Sequence, residues 1–151
     1  MKIALARAIA SGLGVGFLPR APGTWASLFA AVVGAALLAL GQQAILCAAI
    51  AAAIGGVFAI AAAGAGADDP GWVVIDEIAG QFLALAPLGA PRPWSILLGF
   101  VLFRLFDIWK PGPVGWLDRR HDALGVMGDD LVAGALAAML LWLVLMGGGW
   151  R

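Results

Sequence analysis

WASLFAAVVGAALLAL, from Trp25 to Leu40, is followed by a break at Gly41-Gln42-Gln43 and then by AILCAAIAAAIGGVFAIAAAGAGA, from Ala44 to Ala67. Neither stretch carries a charge. As a helix the first spans about 24 Å, slightly short of a hydrocarbon core of ~30 Å, and the second is long enough to cross one. Their many small residues permit close approach, so the pair reads as a helical hairpin. The whole chain agrees: of 151 residues 63% are hydrophobic and 12% charged, against about 25% charged in an average soluble domain. Mean hydropathy is +1.00. A water-soluble globule of this size would expose much of that apolar surface, which excludes an ordinary cytosolic enzyme and excludes disorder. Nine basic residues balance nine acidic ones, so nothing points to a nucleic-acid partner. Cys47 is the single cysteine, which excludes a disulfide framework and a cysteine-rich zinc site; it reads as a small buried apolar group. His121 is the single histidine, there is no tyrosine, and His121 reads as a surface residue.

Upstream of the hairpin, Met1–Ala10 alternates basic and apolar residues, as an amphipathic surface helix does. It is a poor signal peptide, because its apolar stretch is short and Pro19-Arg20-Ala21-Pro22 interrupts the chain soon after it. Ser11–Gly23 is a Gly/Pro-rich loop, and Thr24 is placed to cap the helix that begins at Trp25. Gly12-x-Gly14-x-Gly16 is no dinucleotide fingerprint, since no strand precedes it and its third glycine comes one place early. After the hairpin, Asp68-Asp69-Pro70-Gly71 makes a turn. A third apolar segment runs from Trp72 to about Leu88, with Asp76 and Glu77 in its first turns. Pro87, Gly89, Pro91 and Pro93 break the chain before a fourth, Trp94–Trp109, which carries Arg104 and Asp107 near its end. Lys110-Pro111-Gly112-Pro113 stops it, Trp116–Asp122 reads as a short surface helix, and a fifth apolar segment runs from Asp129-Asp130 to Met146. The expected fold is all-α, a polytopic membrane bundle of about five hydrophobic helices plus a short N-terminal and an interfacial helix, forming one domain over residues 1–151. The tryptophans sit mostly at segment ends, as interfacial anchors do. Oligomeric state is not read from these features.

The placement of charge is the functional clue. All nine acids lie between Asp68 and Asp130, and the first 67 residues carry only Lys2, Arg7 and Arg20 as charges. A charge in hydrocarbon costs roughly 2.5–3.5 kcal/mol on insertion scales. With the N-terminus inside and five crossings, six basic residues (Lys2, Arg7, Arg20, Lys110, Arg119 and Arg120) lie inside, against Arg92 and Arg151 outside. Basic residues alone set this orientation, yet it also brings Thr24, Asp76 and Glu77, Arg104 and Asp107, and Asp129 and Asp130 into one layer at the inner face.

Carboxylates gathered there, without thiols, favour a hard divalent cation such as Mg²⁺. Adjacent Asp76 and Glu77 project about 100° apart on a helix, so they reach one site only at its first turn or by bridging. Arg104 and Asp107, three apart, share a face, and the arginine either pairs with the acid or faces a phosphate. Metal, cation and carboxylate together make a minimal kit for phosphate chemistry. A Cys-x5-Arg phosphatase loop is missing, as is an Asp-x-Asp start, and only one histidine exists. A metal-activated water or a carboxylate nucleophile is left.

Three blocks resemble the bacterial phosphatidylglycerophosphatase A family. They are Leu18-Pro-Arg-Ala-Pro-Gly-Thr-Trp25; Val74-Ile-Asp-Glu-Ile-Ala-Gly-Gln81; and Phe103-Arg-Leu-Phe-Asp-Ile-Trp-Lys-Pro111, continued by Trp116-Leu-Asp-Arg-Arg120 and Gly128-Asp-Asp130. The combination covers about half the chain in the order and spacing of the family. The family often has a histidine after the loop aspartate, where Pro70 follows Asp69 here. The resemblance implies a multi-pass protein of the bacterial inner membrane, and the orientation set by the basic residues puts its active site on the cytoplasmic side. It implies an Mg²⁺-dependent phosphatase that converts the phospholipid phosphatidylglycerophosphate to phosphatidylglycerol and phosphate. The expected catalytic residues are Asp76, Glu77, Asp107 and Asp130. The metal ligands are Asp76, Glu77, Asp129 and Asp130, and the substrate phosphate meets Thr24, Arg104, Lys110 and Arg20.

Plainer readings stand beside these. Asp129 and Asp130 suit any helix start through capping and the helix dipole. Asp107 suits a salt partner of Arg104, and Lys110 a snorkelling anchor. Asp118, Arg119, Arg120 and Asp122 suit a solvated face. A small cation or proton transporter built on intramembrane carboxylates is the alternative function; it needs polar groups through the midplane, where only Gln81 lies deeper. A structural subunit, in which charges merely pair, is the third.

Overall fold

The computed structural model describes residues 1–147. Among the described residues the chain is helical and has no strand. Its elements are α1 (Ile3–Ala10), a 3-10 turn at Val15–Phe17, α2 (Pro22–Leu40), α3 (Gln42–Ala63), α4 (Ile75–Leu85), α5 (Pro93–Trp109), α6 (Pro113–Asp118) and α7 (Ala123–Gly147). The expected count of five apolar helices, an N-terminal helix and a short interfacial one matches this order. Helices α2, α3 and α7, with 19, 22 and 25 residues, are long and apolar enough to cross a membrane. Their outward faces carry Val32, Ile50, Ile54, Phe58 and Leu143, all exposed, and such a surface is stable against hydrocarbon rather than water.

Helix α4 departs from expectation. It has 11 residues, about 17 Å of helix and half a hydrocarbon thickness, where the sequence suggested Trp72–Leu88. Residues 72–74 stay outside the helix because the N-terminal segment ties them down. The Val74 N–H donates to the Ala10 carbonyl at 2.9 Å. The Trp72 ring stacks on Phe17, with centroids 6.0 Å apart, and the Arg7 guanidinium lies 5.1 Å from its centroid. Gly16 lies flat on the Trp72 carbonyl, where a Cβ would collide with backbone. At the other end Ala86 and Leu88 close turns onto Leu83 and Leu85. Nine of the eleven α4 residues are buried, enclosed by α2, α3, α5 and α7. Helix α4 is therefore the central rod of the bundle, and polar residues on it are shielded from lipid.

Its tightest contact is with α7. A Cβ on Gly80 would lie 2.6 Å from both the Asp130 carbonyl oxygen and the Phe103 ring, and a Cβ on Gly134 would strike the Gly80 carbonyl. Two glycines thus let the α4 and α7 backbones approach to touching distance, which no pair of larger residues allows.

Other boundaries shift for local reasons. Helix α2 begins at Pro22, with Ala21 as its N-cap in the left-handed region (φ 52°). Thr24 is therefore inside the first turn rather than capping it. Pro22 suits that first position, having no N–H to leave unpaired. Helix α7 begins at Ala123, not Asp129, because the Asp122 carboxylate accepts the Gly125 N–H at 2.6 Å and caps it. Asp129 and Asp130 consequently sit well inside the helix, where neither caps its start. Cys47, expected to be buried, is exposed on α3; His121 is exposed as expected. Arg151, counted with the outside basic residues, lies outside the described residues.

Candidate active site

Asp76 and Glu77 open α4, in its first turn, which is the condition under which adjacent carboxylates can turn to one place. Asp130 comes to the same place from α7. A carboxylate oxygen from each of Asp76, Glu77 and Asp130 lies within 4.8 Å of the other two. Asp76 and Asp130 are 6% and 3% exposed. Asp76 Oδ1 and Glu77 Oε2 are buried without a hydrogen-bond partner. Three acids of one sign, enclosed and short of donors, form an arrangement that is costly by itself. An all-oxygen donor set with free lone pairs suits a hard divalent cation of the Mg²⁺ class, so these three residues could hold one.

Around this trio lie the other charges. The Arg104 guanidinium pairs with Asp107 one turn on, and its Nη1 also donates to Ser27 Oγ at 3.4 Å. Ser27 Oγ in turn donates to the Gly23 carbonyl at 2.7 Å, so Ser27 joins α2 to α5. Arg104 Nε is buried without a partner. Gly23 borders Glu77 and Arg104 together: a Cβ there would overlap Glu77 Oε1 and lie 3.5 Å from Arg104 Nη1. Replacing Gly23 by Ala should therefore displace the Glu77 carboxylate. Turnover is expected to fall about tenfold or more, since a ligand that has lost its orientation holds a metal poorly, while Gly89→Ala, which meets no atom within 4 Å and needs no left-handed backbone, should leave turnover unchanged.

Lys110 lies at the C-terminal cap of α5. Its ammonium bonds Asp118 and also Asp129 Oδ2 at 2.9 Å. Partial burial alone would lower its pKa, but those carboxylates override the effect and hold it above the ordinary lysine range. Asp129 Oδ1 accepts the Asp130 N–H at 3.0 Å. Asp129 is thus engaged by Lys110 and by its own helix and does not belong to the three-carboxylate group. Asp107 likewise faces Arg104. Thr24 lies half-buried on the first turn of α2, one residue from Gly23, and Arg20 is exposed in the preceding loop.

Among the described residues, four of the five non-glycine residues with positive φ, Arg20, Ala21, Asp69 and Lys110, belong to the loops at this end of the bundle. Such backbone costs of order 1–2 kcal/mol per residue and collects where neighbouring structure dictates the path. One turn deeper than Glu77, Gln81 is fully enclosed with neither amide atom partnered, so the polar character of α4 extends below the acids.

Sequence reading found the acids and cations of this layer but not Gly23, Ser27, Gly80 or Gly134. Ser27 had a visible signal, as the one polar residue in Trp25–Leu40. Gly23 and Gly80 stand inside the family-like blocks, but nothing there showed their role, and Gly134 had no signal among 22 glycines.

Comparison with known proteins bears on what the layer does. The family model described as phosphatidylglycerophosphatase A matches residues 8–145. A protein of Escherichia coli (strain K12) named phosphatidylglycerophosphatase A is 34% identical over 139 residues, covering 90% of this chain and 81% of that one. Its namesake in Haemophilus influenzae is 35% identical over 140 residues, covering 90% and 86%. A protein of Bacteroides thetaiotaomicron named putative phosphatidylinositol-3-phosphatase is 36% identical over 142 residues, covering 88% and 89%. No solved structure shows a significant likeness to the chain.

Proposed function

Because the chain belongs to the phosphatidylglycerophosphatase A family, we propose that the layer around Asp76, Glu77 and Asp130 hydrolyses phosphatidylglycerophosphate in an Mg²⁺-dependent reaction. The water oxygen adds to phosphorus, the bond to the glycerol oxygen breaks, and that oxygen leaves with a proton as the alcohol of phosphatidylglycerol. The observation that carries the reading is the convergence of three carboxylates on one point with two of their oxygens unpartnered. Asp76, Glu77 and Asp130 hold the cation. A cation held there would supply charge withdrawal from the phosphate and acidification of the attacking water.

The remaining roles belong to the chain's own groups. Arg104, steadied by Asp107 and Ser27, keeps Nε and the rest of its fork for phosphate oxygens. Lys110 adds a second positive charge at the edge of the layer, fixed by Asp118 and Asp129, so Asp129 acts through Lys110. Thr24 and Arg20 lie on the α2 side, where the head group enters. The N-terminus, the α4 start, the α5 end and the α7 start share the basic residues Lys2, Arg7, Arg20, Lys110, Arg119 and Arg120. Positive charge on that side supports a cytoplasmic site in the inner membrane. A lipid substrate accounts for a site at a helix-end layer, because the head group reaches it while the chains stay in the bilayer. The transporter reading lacks support: polar groups do not continue past Gln81 on α4.

The relatives' names differ in the lipid head group, so the assignment is tested by competition between head groups. Detergent-purified protein should release phosphate from phosphatidylglycerophosphate about tenfold or more faster than from phosphatidylinositol 3-phosphate at equal mole fraction, a preference of ~1.4 kcal/mol. The reverse preference would overturn the substrate assignment and keep the phosphatase.

A further inference from the structure

Between α2 and α5 an apolar groove of about 400 Å³ runs along the lipid-facing side of the bundle, lined by Leu28, Ala31 and Ala35 from α2 and by Ile96, Leu97 and Phe100 from α5. We propose that this groove seats an acyl chain of the phospholipid substrate and thereby feeds the head group to the carboxylate layer. The proposal rests on the lipid-phosphatase reading and extends it to a second, specificity-determining subsite.

Three observations select this occupant. The groove leads toward the candidate site: Phe100, in its lining, lies one helical turn before Arg104 on α5. Along α5 the apolar lining therefore gives way, one turn on, to a guanidinium. That is the order of chemistry in an anionic phospholipid, hydrocarbon below and phosphate above. The length also fits. From Arg104 back to Pro93, where α5 begins, the helix rises about 17 Å, comparable with most of an extended acyl chain. Finally, the groove floor is made of small residues, Ala31 and Ala35, while its rims carry Leu28, Leu97 and Phe100, so its depth comes from side-chain size on α2.

The test compares dioleoyl and dihexanoyl phosphatidylglycerophosphate in detergent. Ala35→Trp fills the groove; Ile50→Trp puts the same bulk on the exposed face of α3. The ratio of kcat/KM for the long-chain to the short-chain lipid should fall at least about fivefold in Ala35→Trp, as expected when one to two methylenes lose apolar contact. It should stay at the wild-type value in Ile50→Trp. An unchanged ratio in folded Ala35→Trp overturns the proposal. A long-chain lipid carrying a mid-chain diazirine provides a reading that needs neither a variant nor turnover. Label should concentrate on Leu28, Leu97 and Phe100, and equal label around Ile50 would overturn the groove. If wild type hydrolyses neither lipid, the functional reading fails, and the labelling still decides whether an acyl chain sits there.

Discussion

Asp130→Asn should abolish phosphate release and, in chelator, make the protein more stable. The first effect comes from removing one of three oxygens that converge within 4.8 Å. Loss of at least about a hundredfold is expected, since even outer-shell partners of a metal site are worth 10–100-fold. The second comes from electrostatics. Two like charges at that separation repel by roughly 3 kcal/mol at an effective dielectric constant near 20. Relief of even about 1 kcal/mol should raise Tm by ~2–4 °C for a chain of this size. Mg²⁺ should then raise the Tm of wild type, because a ligand that binds only the folded state stabilises it, and leave Asp130→Asn unmoved. Structural carboxylates paired for stability would behave oppositely, with Tm falling on substitution. A variant that loses stability and keeps turnover would refute the metal-holding role of Asp130.

Gly80→Ala and Gly134→Ala should each cost about 1–3 kcal/mol, the penalty of overpacking, and remove activity along with it. Both would force apart the α4–α7 crossing that carries Asp76 and Glu77 on one side and Asp130 on the other. The clash at Gly80 is with the backbone of Asp130 itself at 2.6 Å, so relief by a side-chain rotation is blocked. Gly55→Ala on α3, where an added Cβ meets no atom within 4 Å, should leave both stability and turnover at wild-type values. Thermal unfolding in detergent with parallel phosphate release measures all three; wild-type behaviour of Gly80→Ala would contradict the packing account.

The bundle was legible because apolar length speaks plainly: Trp25–Leu40 and Ala44–Ala67 need no partner to be read as helices. Asp76 and Glu77 were legible as well, being acids placed inside Val-Val-Ile and Ile-Ala, where only a purpose or a penalty could put them. Hydropathy could not see that α4 stops at 11 residues, because its shortness comes from Val74 and Trp72 being tied to α1 and to the 3-10 turn, contacts remote in sequence. Nor could spacing choose between Asp129 and Asp130. Neighbours on a helix point about 100° apart, and which one faces α4 depends on where α7 starts. The Asp122 cap sets that start and moves both acids well inside the helix. The cap did have a signal in Asp122-x-x-Gly125, read instead as part of a solvated face. The α4–α7 crossing had no comparable sign, since Gly80 and Gly134 look like any glycines in an apolar segment until the partner helix is in place.

Whether Asp76, Glu77 and Asp130 make a cation-dependent phosphatase centre is decided by phosphate release from phosphatidylglycerophosphate as a function of Mg²⁺ concentration, in wild type and in Asp76→Asn. Release by wild type that saturates with Mg²⁺ and stops in chelator, with no release from the folded variant at any Mg²⁺ concentration, is the expected result. Release that is indifferent to Mg²⁺, or that survives in Asp76→Asn, would contradict it.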